Sequence, residues 1–155
     1  METKLILSGF TSCVELTEAL AAEFARDLAK RGERDAFLAM YGDLGAGKTA
    51  FVRGLASVLA PGARVCSPTF ALVNEYRGKD YTLCHFDMYR ITSEDDLYSI
   101  GFYDYADCII VTEWSENIPY ALPNHYYRIE ITKPEREDTE GDNQKRMIVI
   151  EERMS

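Results

Sequence analysis

Basic charge is scarce in this chain. Its 155 residues hold 17 lysines and arginines against 26 aspartates and glutamates, for a net charge of −9. A protein that binds nucleic acid unaided needs a basic surface to meet the phosphates, so this balance argues against one and against direct contact with DNA. Histidine is scarcer still. There are two, His85 and His125, and none of the four cysteines (Cys13, Cys66, Cys84, Cys108) belongs to a C-x-x-C pair. That leaves too few ligands at the right spacing for a structural zinc. Cys84 and Cys108 sit inside apolar runs and read as small buried hydrophobes in a reducing compartment. No apolar run approaches membrane-span length, and Met1-Glu2-Thr3-Lys4 does not start a basic-then-apolar leader. A cytoplasmic protein with no membrane partner is expected.

What is present fits one α/β domain. Hydrophobic residues make up 46% of the chain, enough to bury a real core. A short first strand is expected over Lys4–Ser8, followed by a helix capped at Thr11-Ser12 and carrying Leu16, Leu20, Phe24 and Leu28 at steps of four. Gly32 ends that helix. Ala71–Tyr76 and Tyr81–Phe86 read as a hairpin, Ser93-Glu94 opens a short helix, and Cys108–Val111 is an apolar strand. Tyr126–Thr132 and Arg146–Glu151 alternate and form a closing antiparallel pair, with a polar loop from Lys133 to Lys145 between them.

The stretch that carries chemistry is Gly42-Asp43-Leu44-Gly45-Ala46-Gly47-Lys48-Thr49, which fits G-x-x-x-x-G-K-[ST]. Glycines let the main chain curl until successive N–H groups point at one anion. Lys48 then sets an ammonium against the β- and γ-phosphates of a nucleotide, and Thr49 offers its hydroxyl to Mg²⁺. The flanks agree: Ala36–Tyr41 is a buried strand, and Thr49–Leu59 is a helix stopped by Pro61-Gly62. Neither N-K-x-D nor D-x-x-G after a second acid occurs, so ATP is expected rather than GTP.

Hydrolysis needs more than a phosphate cradle. In α/β sheets the remaining groups gather at the carboxyl ends of parallel strands. Asp87 and Glu113 are each the first acid after an apolar strand and would serve there if their strands neighbour the loop strand. Thr69 lies on the rigid Ser67-Pro68-Thr69-Phe70 turn, from which it would reach the γ-phosphate side in the manner of a switch segment. Trp114 would stack on the nucleotide or pack in the core. Arg90 would neutralise charge or pair with Asp87 or Glu94.

Together, the glycine loop, Ser67-Pro68-Thr69-Phe70, His85-Phe86-Asp87-Met88-Tyr89-Arg90 and Glu113-Trp114 resemble the bacterial TsaE (YjeE) family of tRNA threonylcarbamoyladenosine synthesis. The resemblance covers nearly the whole chain. It implies a three-layer P-loop NTPase fold with a mixed, mainly parallel sheet and a C-terminal antiparallel strand pair. It implies a weak ATPase using ATP and Mg²⁺ that supports a TsaB–TsaD complex modifying adenosine 37 of tRNAs that read ANN codons, with tRNA met only through that complex. By the same resemblance Gly45, Ala46, Gly47, Lys48, Thr49, Ala50 and Trp114 meet the nucleotide, Thr49 and Glu113 hold the metal, and Lys48, Asp87 and Glu113 act in catalysis. Ser67, Pro68, Thr69 and Phe70 form the switch. Two positions depart from the pattern: Ala50 stands where a second threonine is usual, and Thr112 where an apolar residue is. A small-molecule or nucleotide kinase and a nucleotide-dependent binding module are the rival readings.

Overall fold

The structure is a computed structural model and describes residues 1–42, 47–68, 72–134 and 145–155. Its strands are β1 (Glu2–Thr11), β2 (Phe37–Gly42), β3 (Val73–Arg77), β4 (Thr82–Asp87), β5 (Ile109–Glu113), β6 (His125–Thr132) and β7 (Arg146–Met154). Its α-helices are α1 (Val14–Lys30), α2 (Lys48–Leu59) and α3 (Glu94–Ser99). Short 3-10 turns cover Phe102–Asp104, Ser115–Asn117 and Pro119–Ala121. The strands form one sheet in the order β1-β7-β6-β2-β5-β4-β3. Its centre, β6-β2-β5-β4, is parallel, while β1, β7 and β3 pair antiparallel at the two edges.

The parallel strands are buried on both faces, so their apolar runs are nearly continuous. Alternate residues serve different cores. Leu38, Met40, Leu83, Ile109 and Val111 pack with Phe24, Leu28, Phe51, Leu55 and Leu59 of α1 and α2. Phe37, Ala39, Cys84 and Phe86 pack with Leu97, Phe102 and Ile118 on the opposite side. These are the three layers. The period-two rule then assigns every residue of β4 and β5 to one face or the other, and the site depends on that assignment.

Helix α1 corrects two expectations. Leu16 is exposed, and the buried stripe runs instead through Thr17, Ala21, Phe24, Ala25 and Leu28. Cys13 takes the N-cap position with no side-chain cap, and the Thr11 hydroxyl bonds the Thr17 hydroxyl at 2.7 Å. Gly32 ends the helix as read. The Gly32 and Glu33 amides turn back to the Ala29 and Leu28 carbonyls, closing a Schellman motif. Strand β1 is longer than expected because β7 pairs along its whole length. The loop after β6 falls mostly within 135–144, outside the described residues.

Helix α2 lies against α1 at Gly54, where a Cβ would collide with the Glu18 carbonyl oxygen and stand 2.7 Å from Ala21 Cβ. The obstruction is main chain and cannot swing aside. Gly54→Ala is therefore expected to destabilise the protein in urea by about 1–3 kcal/mol, an overpacking cost that outweighs alanine's advantage of about 1 kcal/mol as a helix former. Stability equal to or above the parent would contradict so close an approach.

Candidate nucleotide site

The carboxyl ends of β6, β2, β5 and β4 share one edge of the sheet, which is where α/β folds keep their chemistry. Strand β2 ends at Gly42 on this edge, and α2 begins at Lys48. Residues 43–46 lie outside the described residues, and Gly45 and Ala46 with them. Gly47 is described. Its φ of +98° is a conformation that costs little only for glycine, and it is the N-cap of α2. Lys48 and Thr49 open the helix, so the free amides of its first turn and its positive dipole end face the edge. Ala50 is buried against the core.

Lys48 is itself buried, at 5% exposure. Its ammonium lies 5.2 Å from the centroid of the Trp114 ring, a cation–π contact. Trp114 in turn meets Tyr89, ring centroids 5.1 Å apart. The tryptophan is thus at the mouth of the site and only partly buried. Its φ of +58° is left-handed, strain on the order of 1–2 kcal/mol for a bulky residue. The turn around it is pinned from several sides. The Thr112 and Ser115 hydroxyls bond at 2.7 Å, the Asn117 amide donates to the Trp114 carbonyl, and Asn117 Nδ2 donates to the Met88 carbonyl. Thr112, unusual on sequence grounds, belongs to that clasp.

The two acids meet as neighbours. β5 lies directly beside the loop strand, and β4 lies one strand beyond it. Asp87 stands opposite Glu113 in the parallel register, and both are buried at 8% exposure. Burial is the main force raising the Asp87 pKa above the usual carboxylate range, and the Glu113 charge adds to it. The Tyr89 amide (3.0 Å to Oδ1), His85 and Lys48 pull the other way. Below the acids, His85 Nε2 bonds Glu113 Oε2 at 2.5 Å.

The other expected residues divide. Thr69 and Phe70 lie outside the described residues. Ser67 is exposed and Pro68 buried. The Leu72 amide bonds the Pro68 carbonyl at 2.8 Å, and the Leu72 carbonyl takes the Asp87 amide at 3.0 Å, so the base of this segment is tied to the acid. Arg90 is exposed and makes no ion pair among the described residues. Three participants were not assigned roles from sequence. His85 and Tyr89 flank Asp87 at ±2, so strand alternation marks His85 as sharing its face. Arg146, the first residue of β7, has no such signal. Its Nε would stand 3.6 Å from a Cβ at Gly47, which only the sheet order places there.

Among the described residues no group of three histidines, cysteines or acids could hold a metal on its own. Mg²⁺ keeps its waters and takes one or two carboxylates beside substrate phosphates. A buried carboxylate pair beside a helix N-terminus fits such an ion. A cleft of about 820 Å³ lined by Ile6, Leu7, Phe24 and Asp27 lies between β1 and α1 and contains none of these groups.

A parallel sheet whose strand β2, glycine-rich sequence and following helix α2 set a buried lysine at the carboxyl edge, close enough to Asp87 to pull its pKa down, defines the P-loop NTPase class of α/β fold. Within that class the chain belongs to the TsaE family: the model of threonylcarbamoyl adenosine biosynthesis protein TsaE matches residues 13–145. It is similar to the tRNA threonylcarbamoyladenosine biosynthesis protein TsaE of Treponema pallidum, 34% identical over 121 residues covering 77% of this chain and 89% of the relative. It is also similar to the Bacillus subtilis TsaE, 34% identical over 77% of this chain and 73% of the relative. For the Haemophilus influenzae TsaE the figures are 38%, 65% and 66%. Its fold is like that of the crystal structure of Bacillus subtilis YdiB, with a TM-score of 0.74 and 26% identity over all of this chain and 89% of that one. Among the described residues no helix is long and apolar enough to cross a membrane.

The raised Asp87 pKa sets a pH dependence. A carboxyl that holds its proton more tightly folded than unfolded weakens the fold above its folded pKa, and the penalty shrinks as pH falls through that pKa and is gone below the unfolded value. Asp87→Asn keeps the acceptor for the Tyr89 amide and removes the charge. Its thermal midpoint is expected to exceed the parent's at about pH 7, with the gap closing toward about pH 4. A variant less stable than the parent at neutral pH would contradict the assignment.

Proposed function

We propose that this chain binds ATP with Mg²⁺ and hydrolyses it slowly, in the cytoplasm, in support of a TsaB–TsaD complex that places the threonylcarbamoyl group on adenosine 37 of tRNAs reading ANN codons. Family membership supports the pathway, because the relatives are threonylcarbamoyladenosine biosynthesis proteins by name. The observation that carries the chemistry is the buried Lys48 ammonium, held at a helix N-terminus near two buried carboxylates. Among the described residues Lys48 makes no direct ion pair and its ammonium meets the Trp114 ring, a costly place for a buried charge that a polyphosphate would relieve.

The roles follow from position. The amides from Gly45 to Ala50 grip the phosphates, and Lys48 neutralises charge on the β- and γ-groups. Thr49 and Glu113 would hold the ion, and Asp87, one strand farther out, would orient the attacking water. Mg²⁺, when bound, screens the phosphates' charge and polarises the bond that breaks. Trp114 covers the lysine and keeps bulk water from the ammonium. Ser67–Phe70 would act as the switch on the γ-phosphate side, and its Pro68 carbonyl is linked through Leu72 to the Asp87 amide. With a net charge of −9, the chain meets tRNA through the partner complex rather than directly.

Calorimetry with Mg-ATP tests this directly. Lys48→Ala is expected to weaken binding by about tenfold or more, the loss of a charge-assisted phosphate contact, while Asp87→Ala and Glu113→Ala lose hydrolysis more than affinity. Unchanged affinity in Lys48→Ala would count against the site. Phosphate released without any acceptor, and faster with TsaB–TsaD, separates an ATPase from a kinase. No hydrolysis even with that complex would favour the binding module.

A further inference from the structure

His85 is fully buried, in the layer directly beneath the two carboxylates. It pairs with Val111 across β4 and β5, as Asp87 pairs with Glu113 one step further along. Strand alternation puts His85, Asp87, Val111 and Glu113 on one face, the face that α2 covers. Leu83, Ile109 and Val111 around it are apolar and completely buried. A valine or leucine would fill this place at no polar cost. The imidazole does carry one, since its Nδ1 is buried and has no hydrogen-bond partner among the described residues.

The other ring nitrogen explains the residue. Nε2 lies 2.5 Å from Glu113 Oε2. An ionised carboxylate only accepts, so Nε2 carries the proton and donates. Glu113 ends β5, and without a tether its side chain would sample several rotamers. Strand β4 is braced on both sides by β3 and β5, so a donor fixed on it holds the carboxylate against a rigid support.

We propose that His85 is a positioning residue for Glu113: its Nε2–H fixes Oε2 and so leaves Oε1 as the oxygen offered to the metal ion or its water. This rests on the Mg²⁺–nucleotide reading above. A partner of this kind, one step removed from the metal, typically contributes 10–100-fold to metal affinity.

The test uses the full chain and a readout other than turnover. Trp114, the one tryptophan, reports ADP binding by its emission. Titrating Mg²⁺ at fixed ADP gives the apparent metal affinity, and titrating ADP in EDTA gives the metal-free nucleotide affinity. His85→Leu, which keeps bulk without a donor, is expected to weaken the Mg²⁺ affinity by about tenfold or more and to leave ADP affinity in EDTA unchanged. His85→Gln, whose amide can donate at similar reach, is expected to recover most of that loss. Adding His85→Leu to Glu113→Gln is expected to cost nothing further. If His85→Leu does not fold, His85→Asn, with an amide too short to reach Glu113, takes its place. Parent-like Mg²⁺ affinity in the donor-less variant overturns the proposal, as does a parallel loss of ADP affinity in EDTA or a full additional loss on top of Glu113→Gln. A parent that binds no nucleotide by calorimetry, with or without Mg²⁺, removes the underlying reading and this one with it.

Discussion

The parallel register between β4 and β5 is the constraint on which the site depends. It sets Asp87 opposite Glu113 and His85 one step below them, all facing α2. A slip of one residue along β4 would turn both His85 and Asp87 into the opposite core, among Leu97, Phe102 and Ile118, and replace them with Cys84, Phe86 or Met88. The register is secured by apolar alternation on both faces, with Leu83 and Ile109 under one layer and Cys84 and Phe86 under the other. Folding energy spent on two dry cores therefore also fixes the spacing of three polar groups at the edge.

Charge at that edge is concentrated and poorly hydrated. Lys48, Asp87 and Glu113 are all buried, yet they lie beside a tryptophan held in a left-handed turn. Backbone strain of this kind persists only where surrounding bonds over-determine it, and the Thr112–Ser115 and Asn117–Met88 bonds do so here. The result is a lysine capped by an aromatic ring, with its counter-charges fixed on neighbouring strands. Such an arrangement is preorganised for a ligand that brings both an anion and a cation.

Most of the framework was legible in the sequence because its signals are local. The glycine loop, the run Ala36–Tyr41 and the stop at Pro61-Gly62 each mark an element by its own chemistry. The hairpin of β3 and β4 follows from two β-rich runs around a turn, and the closing pair of β6 and β7 from alternation. What was not legible depends on neighbours distant in sequence. Leu16 reads as core by spacing, yet the stripe that packs turns toward Thr17 and Ala21. The cap expected at Thr11-Ser12 falls at Cys13, and the Thr11 hydroxyl bonds Thr17, six residues on. Arg146 comes near Gly47 only because β7 folds back beside β6, two strands from the loop strand. The bond between His85 and Glu113 spans 28 residues of sequence, and only strand order joins them.

The central claim is that the N-terminus of α2, Lys48 and the paired acids form one receptor for a nucleotide's phosphates and their cation. A crystal structure of the protein grown with ADP and Mg²⁺ tests it most directly. The account predicts the β-phosphate within hydrogen-bond distance of Lys48 Nζ and the first amides of α2, with the ion between Thr49 and Glu113 and the His85–Glu113 bond intact. A diphosphate bound elsewhere, or a Glu113 carboxylate turned away from the ion, would contradict it.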